Sequence, residues 1–120
     1  PRRAIPLYER SLAIKERQLR PEHPDLALTL GNLAGLYVAE GNLERGRALL
    51  ERSLAIREKA LGSSHPDVRT TLESLTALYA RMGRSSDAEQ LYRRLQDLRQ
   101  QDEDGHGDAP GKAEQGPASE

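Results

Sequence analysis

The side chains with most chemical reach stand in two identical triplets, His23-Pro24-Asp25 and His65-Pro66-Asp67, at matching points of an internal repeat. Two imidazoles suggest a metal site. Equivalent points of successive repeats, however, lie at least one helix diameter apart, ~10 Å, which is too far for one ion to bridge. His106 stands in an acidic C-terminal stretch and adds no ligand geometry. The carboxylates of Glu16, Glu22, Glu58 and Glu73 scatter over exposed helix faces instead of converging, so no carboxylate pair is available for acid–base work. The chain has no cysteine, no glycine-rich phosphate loop and no nucleophile elbow. The expectation is therefore no catalytic residue, no metal ligand, no cofactor and no enzyme. Each triplet reads as a connector that opens a helix, with proline at the first helical position and aspartate at the positive end of the dipole.

The triplets belong to a longer repeat. Leu49-Leu50-Glu51-Arg52-Ser53-Leu54-Ala55-Ile56 repeats Leu7-Tyr8-Glu9-Arg10-Ser11-Leu12-Ala13-Ile14 almost letter for letter, and Leu91-Tyr92-Arg93-Arg94-Leu95 is a more polar third copy. The step from Leu7 to Leu49 equals the step from Leu49 to Leu91, and His23 to His65 is the same step again. Self-similarity at such a period marks stacked units, each too small to bury its apolar face alone. Apolar residues at i, i+3, i+4 and i+7 predict five helices, over about 2–18, 24–40, 43–61, 66–82 and 86–101. Their buried stripes are Ala4, Leu7, Tyr8, Ser11 and Leu12; Leu26, Leu30, Leu33, Ala34 and Tyr37; Gly46, Leu49, Leu50, Ser53, Leu54 and Ile56; and Val68, Leu72, Leu75, Thr76 and Tyr79. Gly41 and Gly83 are the stops, Asn42 caps the third helix, and Ser86 with Glu89 forms a capping box for the fifth. Alternating strand patterns are absent.

Composition narrows the partners. Residues 101–120 hold six acidic residues and one lysine, leaving 17 basic and 13 acidic residues before them, so a slightly basic body precedes an acidic tail. Arginine and glutamate interleave along the body as on a solvated helix surface, and the four tyrosines are the only aromatics. Both features argue against nucleic acid, whose recognition uses basic stripes and stacking platforms. Apolar runs fall far short of the ~20 residues that span a bilayer, so no membrane partner is expected. Residues 102–120, rich in Gly, Asp and Glu, are expected to form a disordered acidic tail.

Small residues at Ala34, Gly41, Gly46 and Ser53, with Leu-Tyr at 36–37, Leu-Tyr-Glu-Arg at 7–10 and His-Pro-Asp twice, carry a family resemblance. The chain resembles tetratricopeptide repeat proteins, and its 42-residue version resembles the repeats of kinesin light chains and nephrocystin-3. The resemblance implies an all-α fold, a right-handed superhelix (solenoid) of antiparallel helix pairs. Residues 1–101 would form the array, as a half repeat (1–18), a pair (24–61) and a second pair (66–101). It also implies a protein-binding scaffold or adaptor whose concave groove, lined by the first helix of each pair, takes a partner peptide or helix. The groove positions are then Leu28, Gly31, Asn32, Gly35 and Ala39 on the second helix, and Thr70, Glu73, Ser74, Ala77 and Arg81 on the fourth. Glu73 would repel an acidic ligand, which favours a basic or apolar anchor. Similar arrays sit on regulatory nucleotide-binding ATPases, so a sensor arm of such an ATPase is the alternative. His-Pro-Asp also resembles the signature of J-domain co-chaperones, yet its recurrence at the repeat period suits a connector.

The departures in the last pair, Ser85 for Leu43, Thr76 for Ala34 and Leu95 for Ser53, suit a terminating cap. The chain starts without methionine or leader, as expected of the C-terminal end of a longer solenoid. Leu7 and Leu12 would then be under-covered, and self-association through that uncapped N-terminal end is expected. By resemblance the setting is cytoplasmic, with cytoskeletal or ciliary association.

Overall fold

The computed structural model describes residues 4–108, with side-chain surroundings through residue 101. Five helices follow one another: α1 (Ala4–Gln18), α2 (Pro24–Ala39), α3 (Leu43–Leu61), α4 (Pro66–Arg81) and α5 (Ser85–Asp108), with no strand among the described residues. Each helix packs on its neighbours in sequence. The short connections make α2/α3 and α4/α5 hairpins, and α1 stacks on α2 as α3 stacks on α4.

Both His-Pro-Asp triplets are helix starts. His23 Nδ1 accepts from the Asp25 amide at 3.1 Å and His65 Nδ1 from the Asp67 amide at 3.0 Å, with proline in the first turn. Each imidazole satisfies an amide that would otherwise lack an intrahelical partner. The hairpin turns also repeat. Gly41 and Gly83 adopt φ of 88° and 77°, which lets the next amide reach back to the Tyr37 and Tyr79 carbonyls, each at 2.9 Å. Asn42 then caps α3, its side chain accepting from the Arg45 amide at 3.2 Å.

Two apolar clusters form the core. One gathers Leu12, Leu26, Leu30, Leu33, Ala34, Leu49 and Ile56; the other gathers Leu54, Val68, Leu72, Leu75, Tyr79, Leu95 and Leu98; Leu50 touches both. Fully burying one such leucine is worth about 1.5–3 kcal/mol. The α2/α3 seam is close because its small residues meet. A Cβ on Gly46 would stand 2.5 Å from Val38 Cγ2 and 3.2 Å from the Ala34 carbonyl oxygen. Nearby, the fully buried Ser53 hydroxyl donates to the Ala27 carbonyl at 2.8 Å.

Junctions between units are polar and identical in design. Lys15 Nζ donates to Thr29 Oγ1 at 2.9 Å, and Arg57 donates to Thr71 Oγ1 at 2.8 Å. Each threonine hydroxyl in turn donates to the backbone carbonyl four residues back, that of Asp25 or Asp67. On the face carrying α1, α3 and α5, ion pairs recur at the same period: Glu16 with Arg52 at 2.7 Å, and Glu58 with Arg94.

Three expectations need correction. Leu12 is buried under α2, so of the two residues expected to lack cover Leu7 alone does, at 63% exposed. No Ser86–Glu89 capping box opens α5, because the helix begins one residue earlier: the Arg84 carbonyl accepts from the Ala88 amide, and the Arg84 guanidinium holds Asp87 at 2.8 Å. The tail expected from residue 102 is helical through Asp108. Extending an existing helix adds one hydrogen bond per residue with no new nucleation cost, and α5 runs on through this segment although Gly105 and Gly107 are weak helix formers. The remainder of that expected tail, 109–120, lies outside the described residues.

Candidate peptide groove between α2 and α4

First helices of successive units face each other across a groove of about 330 Å³, lined by Gly31, Gly35, Val38, Leu50, Ser74, Ala77, Leu78 and Arg81. Five of the ten sequence-expected positions meet there: Gly31, Gly35, Ser74, Ala77 and Arg81. The other five, Leu28, Asn32, Ala39, Thr70 and Glu73, stand outside its walls. Gly31, Gly35 and Val38 fall at i, i+4 and i+7, the strip of α2 that turns toward α4, whereas Asn32 and Ala39 lie one residue further round.

The sequence reading missed the floor. Sequence spacing alone assigns neither Val38 nor Leu78 to the groove and puts Leu50 in the core stripe, yet these three supply the apolar base. Extending the Gly31–Gly35 spacing by three, and the Ser74 spacing by four, reaches Val38 and Leu78. The glycines keep the groove open: a Cβ on Gly35 would meet nothing within 4 Å, and one on Gly31 would only touch the Ser53 hydroxyl oxygen at 3.9 Å.

Arg81 is the only charged residue in the lining, is exposed, and forms no ion pair among the described residues. Glu73, expected to repel an acidic ligand, turns toward α5, where its carboxylate lies 3.6 Å from the Arg99 guanidinium. Its charge is therefore opposed outside the groove and does not disfavour an acidic ligand there. Asn32 makes no side-chain hydrogen bond among the described residues.

Two polar clusters lie on the face of α1, α3 and α5. In the first, the Tyr37 hydroxyl donates to the Glu9 carboxylate, while Arg45 sits 4.0 Å from that carboxylate and 5.7 Å from the Tyr37 ring centroid. The bond to Glu9 belongs to the neutral phenol and raises the Tyr37 pKa above its ordinary value. Burial adds to the rise and Arg45 opposes it. The second cluster surrounds Tyr79. Among the described residues no group of three or more His, Cys, Asp or Glu is placed to hold a metal ion, and no helix is long and apolar enough to cross a membrane.

The tetratricopeptide repeat family matches residues 25–101. No curated protein sequence matches. Among solved structures, a kinesin light chain candidate from Podosopora anserina, described as having nearly identical tetratricopeptide-like repeats, is 31% identical with a TM-score of 0.66, over 80% of this chain and 46% of that one. A single-substitution variant of the same protein gives 30% identity and a TM-score of 0.69, over 83% of this chain and 47% of that one. The chain thus spans less than half the length of those structures. Their folds are repeat scaffolds of the kind that mediates protein–protein interaction. With helix hairpins recurring at one fixed period, small residues at their seams and a family match over most of the described helices, the chain belongs to the tetratricopeptide repeat family.

Proposed function

We propose that the α2/α4 groove binds a partner peptide that inserts an apolar side chain and sets a carboxylate against Arg81. The observation that carries this is the pairing of an apolar floor, Val38, Leu50 and Leu78, with one unpaired cation at the wall. The apolar residue supplies affinity by leaving water, and the guanidinium fixes register through charge-assisted hydrogen bonds. Two glycines allow the peptide backbone to approach α2. The chain acts as an adaptor with no catalysis of its own, and its likeness to a kinesin light chain candidate supports a cytoskeletal setting.

A fluorescent peptide array varying one apolar and one acidic position tests this by anisotropy. Gly35→Leu, whose Cβ would meet nothing within 4 Å and whose added bulk starts at the groove wall, should abolish binding. Arg81→Glu should weaken binding at least about tenfold and reverse its salt dependence, because salt then screens a repulsion instead of an attraction. Binding that survives Gly35→Leu refutes the groove.

A second reading concerns α1. Leu7 is 63% and Ile14 47% exposed, whereas Leu49 and Ile56, their counterparts in the next copy of the repeat, are 4% and 8% exposed beneath α2. That bare stripe supports self-association through α1.

A further inference from the structure

The face opposite the groove carries a second cleft, of about 280 Å³, between α3 and α5, with Glu51, Glu58, Asp87 and Tyr79 among its lining residues and Leu54 and Leu91 as apolar walls. The first unit shows what its counterpart holds. There Glu9, Tyr37 and Arg45 form one cluster, the phenol donating to the carboxylate and the guanidinium lying against both. One repeat further on, those positions are Glu51, Tyr79 and Asp87. The acid and the phenol persist, while the arginine has become a second acid.

The cations nearby are already engaged. Arg47 is shared between Glu44 at 2.5 Å and Glu51 at 3.1 Å. Arg84 lies 4.7 Å from the Tyr79 ring centroid and holds Asp87 at 2.8 Å, and Arg94 holds Glu58. Each carboxylate has about four acceptor sites, so acceptor capacity remains at Glu51 and Asp87. Tyr79 supplies an independent sign. It is 6% exposed, and its hydroxyl makes no hydrogen bond among the described residues, although the equivalent Tyr37 hydroxyl does. A buried hydroxyl left unpaired is costly, and native structures seldom leave one so without a missing partner.

We propose that this cleft binds an arginine side chain of a partner protein, which brings a guanidinium to Glu51 as Arg45 brings one to Glu9 in the first unit, beside the Arg84 already held over the Tyr79 ring. The guanidinium donates to Glu51 and Asp87 and to the Tyr79 oxygen, while its aliphatic stem lies along Leu54 and Leu91. The planar fork of five donors suits several acceptors at once, which a lysine ammonium matches less well. The cleft has room for one long side chain and not for a helix. This site is separate from the peptide groove, and either can fail without the other.

The test uses the 120-residue chain, isotopically labelled, with Nα-acetyl-arginine amide as probe and the matching citrulline and lysine amides as comparisons. Saturable amide shifts at Glu51, Tyr79, Asp87 and Gln90 are expected with the arginine probe. The citrulline amide should give none, and the lysine amide should bind several-fold more weakly. Asp87→Arg rebuilds the first-unit arrangement and should weaken probe binding at least about tenfold. Glu51→Gln, nearly isosteric and partly exposed, should weaken it too and guards against a misfolded Asp87→Arg. Shifts spread over other acidic surfaces, equal shifts with citrulline, equal affinity for lysine, or unchanged affinity in both folded variants would each overturn the proposal.

Discussion

The same substitution should have opposite signs at two glycines on either side of one helix seam. Gly35 and Gly46 both sit inside helices, where alanine is favoured over glycine by about 1 kcal/mol. At Gly35 a new Cβ meets nothing within 4 Å, so Gly35→Ala should stabilise the chain by up to about 1 kcal/mol. At Gly46 the same methyl would sit 2.5 Å from Val38 Cγ2 and 3.2 Å from the Ala34 carbonyl oxygen. Neither neighbour yields cheaply: valine is stiff at χ1, and the carbonyl belongs to a packed helix. Over-packing of this kind costs about 1–3 kcal/mol, which cancels or exceeds the propensity gain and leaves Gly46→Ala neutral to about 2 kcal/mol destabilised. The gap between the two variants is the over-packing energy itself. For a domain of this size each kcal/mol moves the Tm by about 4–8 °C, so the melts should separate clearly. Urea unfolding followed by helical circular dichroism, with the denaturant slope unchanged, gives the free energies. Adding Val38→Ala to Gly46→Ala should recover part of the loss, since it removes the clashing methyl. If Gly46→Ala stabilises as much as Gly35→Ala, the α2/α3 seam is not in contact there and the packing account fails.

Ser53→Ala removes a buried hydrogen bond to the Ala27 carbonyl and should cost about 1 kcal/mol in the same unfolding assay. The raised pKa of Tyr37 means that the folded state favours the neutral phenol. Its contribution is complete below the ordinary tyrosine value, about 10, and is lost as pH rises through the higher folded value. Tyr37→Phe should therefore show a smaller fall in stability than the parent in alkaline melts, and equal slopes would refute the assignment. Leu7→Glu with Ile14→Glu should shift sedimentation toward monomer without lowering the Tm, because both side chains are exposed.

The helices were legible because their signals are local. Proline after histidine opens α2 and α4, glycine with positive φ closes α2 and α4, and the leucine stripe at helical spacing names most of the core. Thr29 and Thr71 escaped notice because small hydroxyl residues read as surface, whereas both are buried beneath a Lys15 or Arg57 contact. Their identical offset from those cations was nonetheless written in the repeat. The groove was half legible. Periodicity finds the face of a helix to within about one residue, a step of roughly 100°, and that step separates Gly31, Gly35 and Val38 from Asn32 and Ala39. The setting of Glu73 depends on Arg99 of α5, a tertiary contact that no spacing within α4 encodes.

The hydrogen bonds joining Lys15 to Thr29 and Arg57 to Thr71 each span 14 positions and pass over either His-Pro-Asp connector. Removing residues 24–65 would bring Pro66 directly behind His23, set Lys15 as far before Thr71 as it now stands before Thr29, and place Glu16 where it meets Arg94 as Glu58 now does. These two joints would close again with parts already in the chain, whereas Glu9 would face Asp87 in place of Arg45. A block of one repeat period can thus be removed or inserted with these two joints kept in register, while the stability of the array changes with the number of interfaces it keeps.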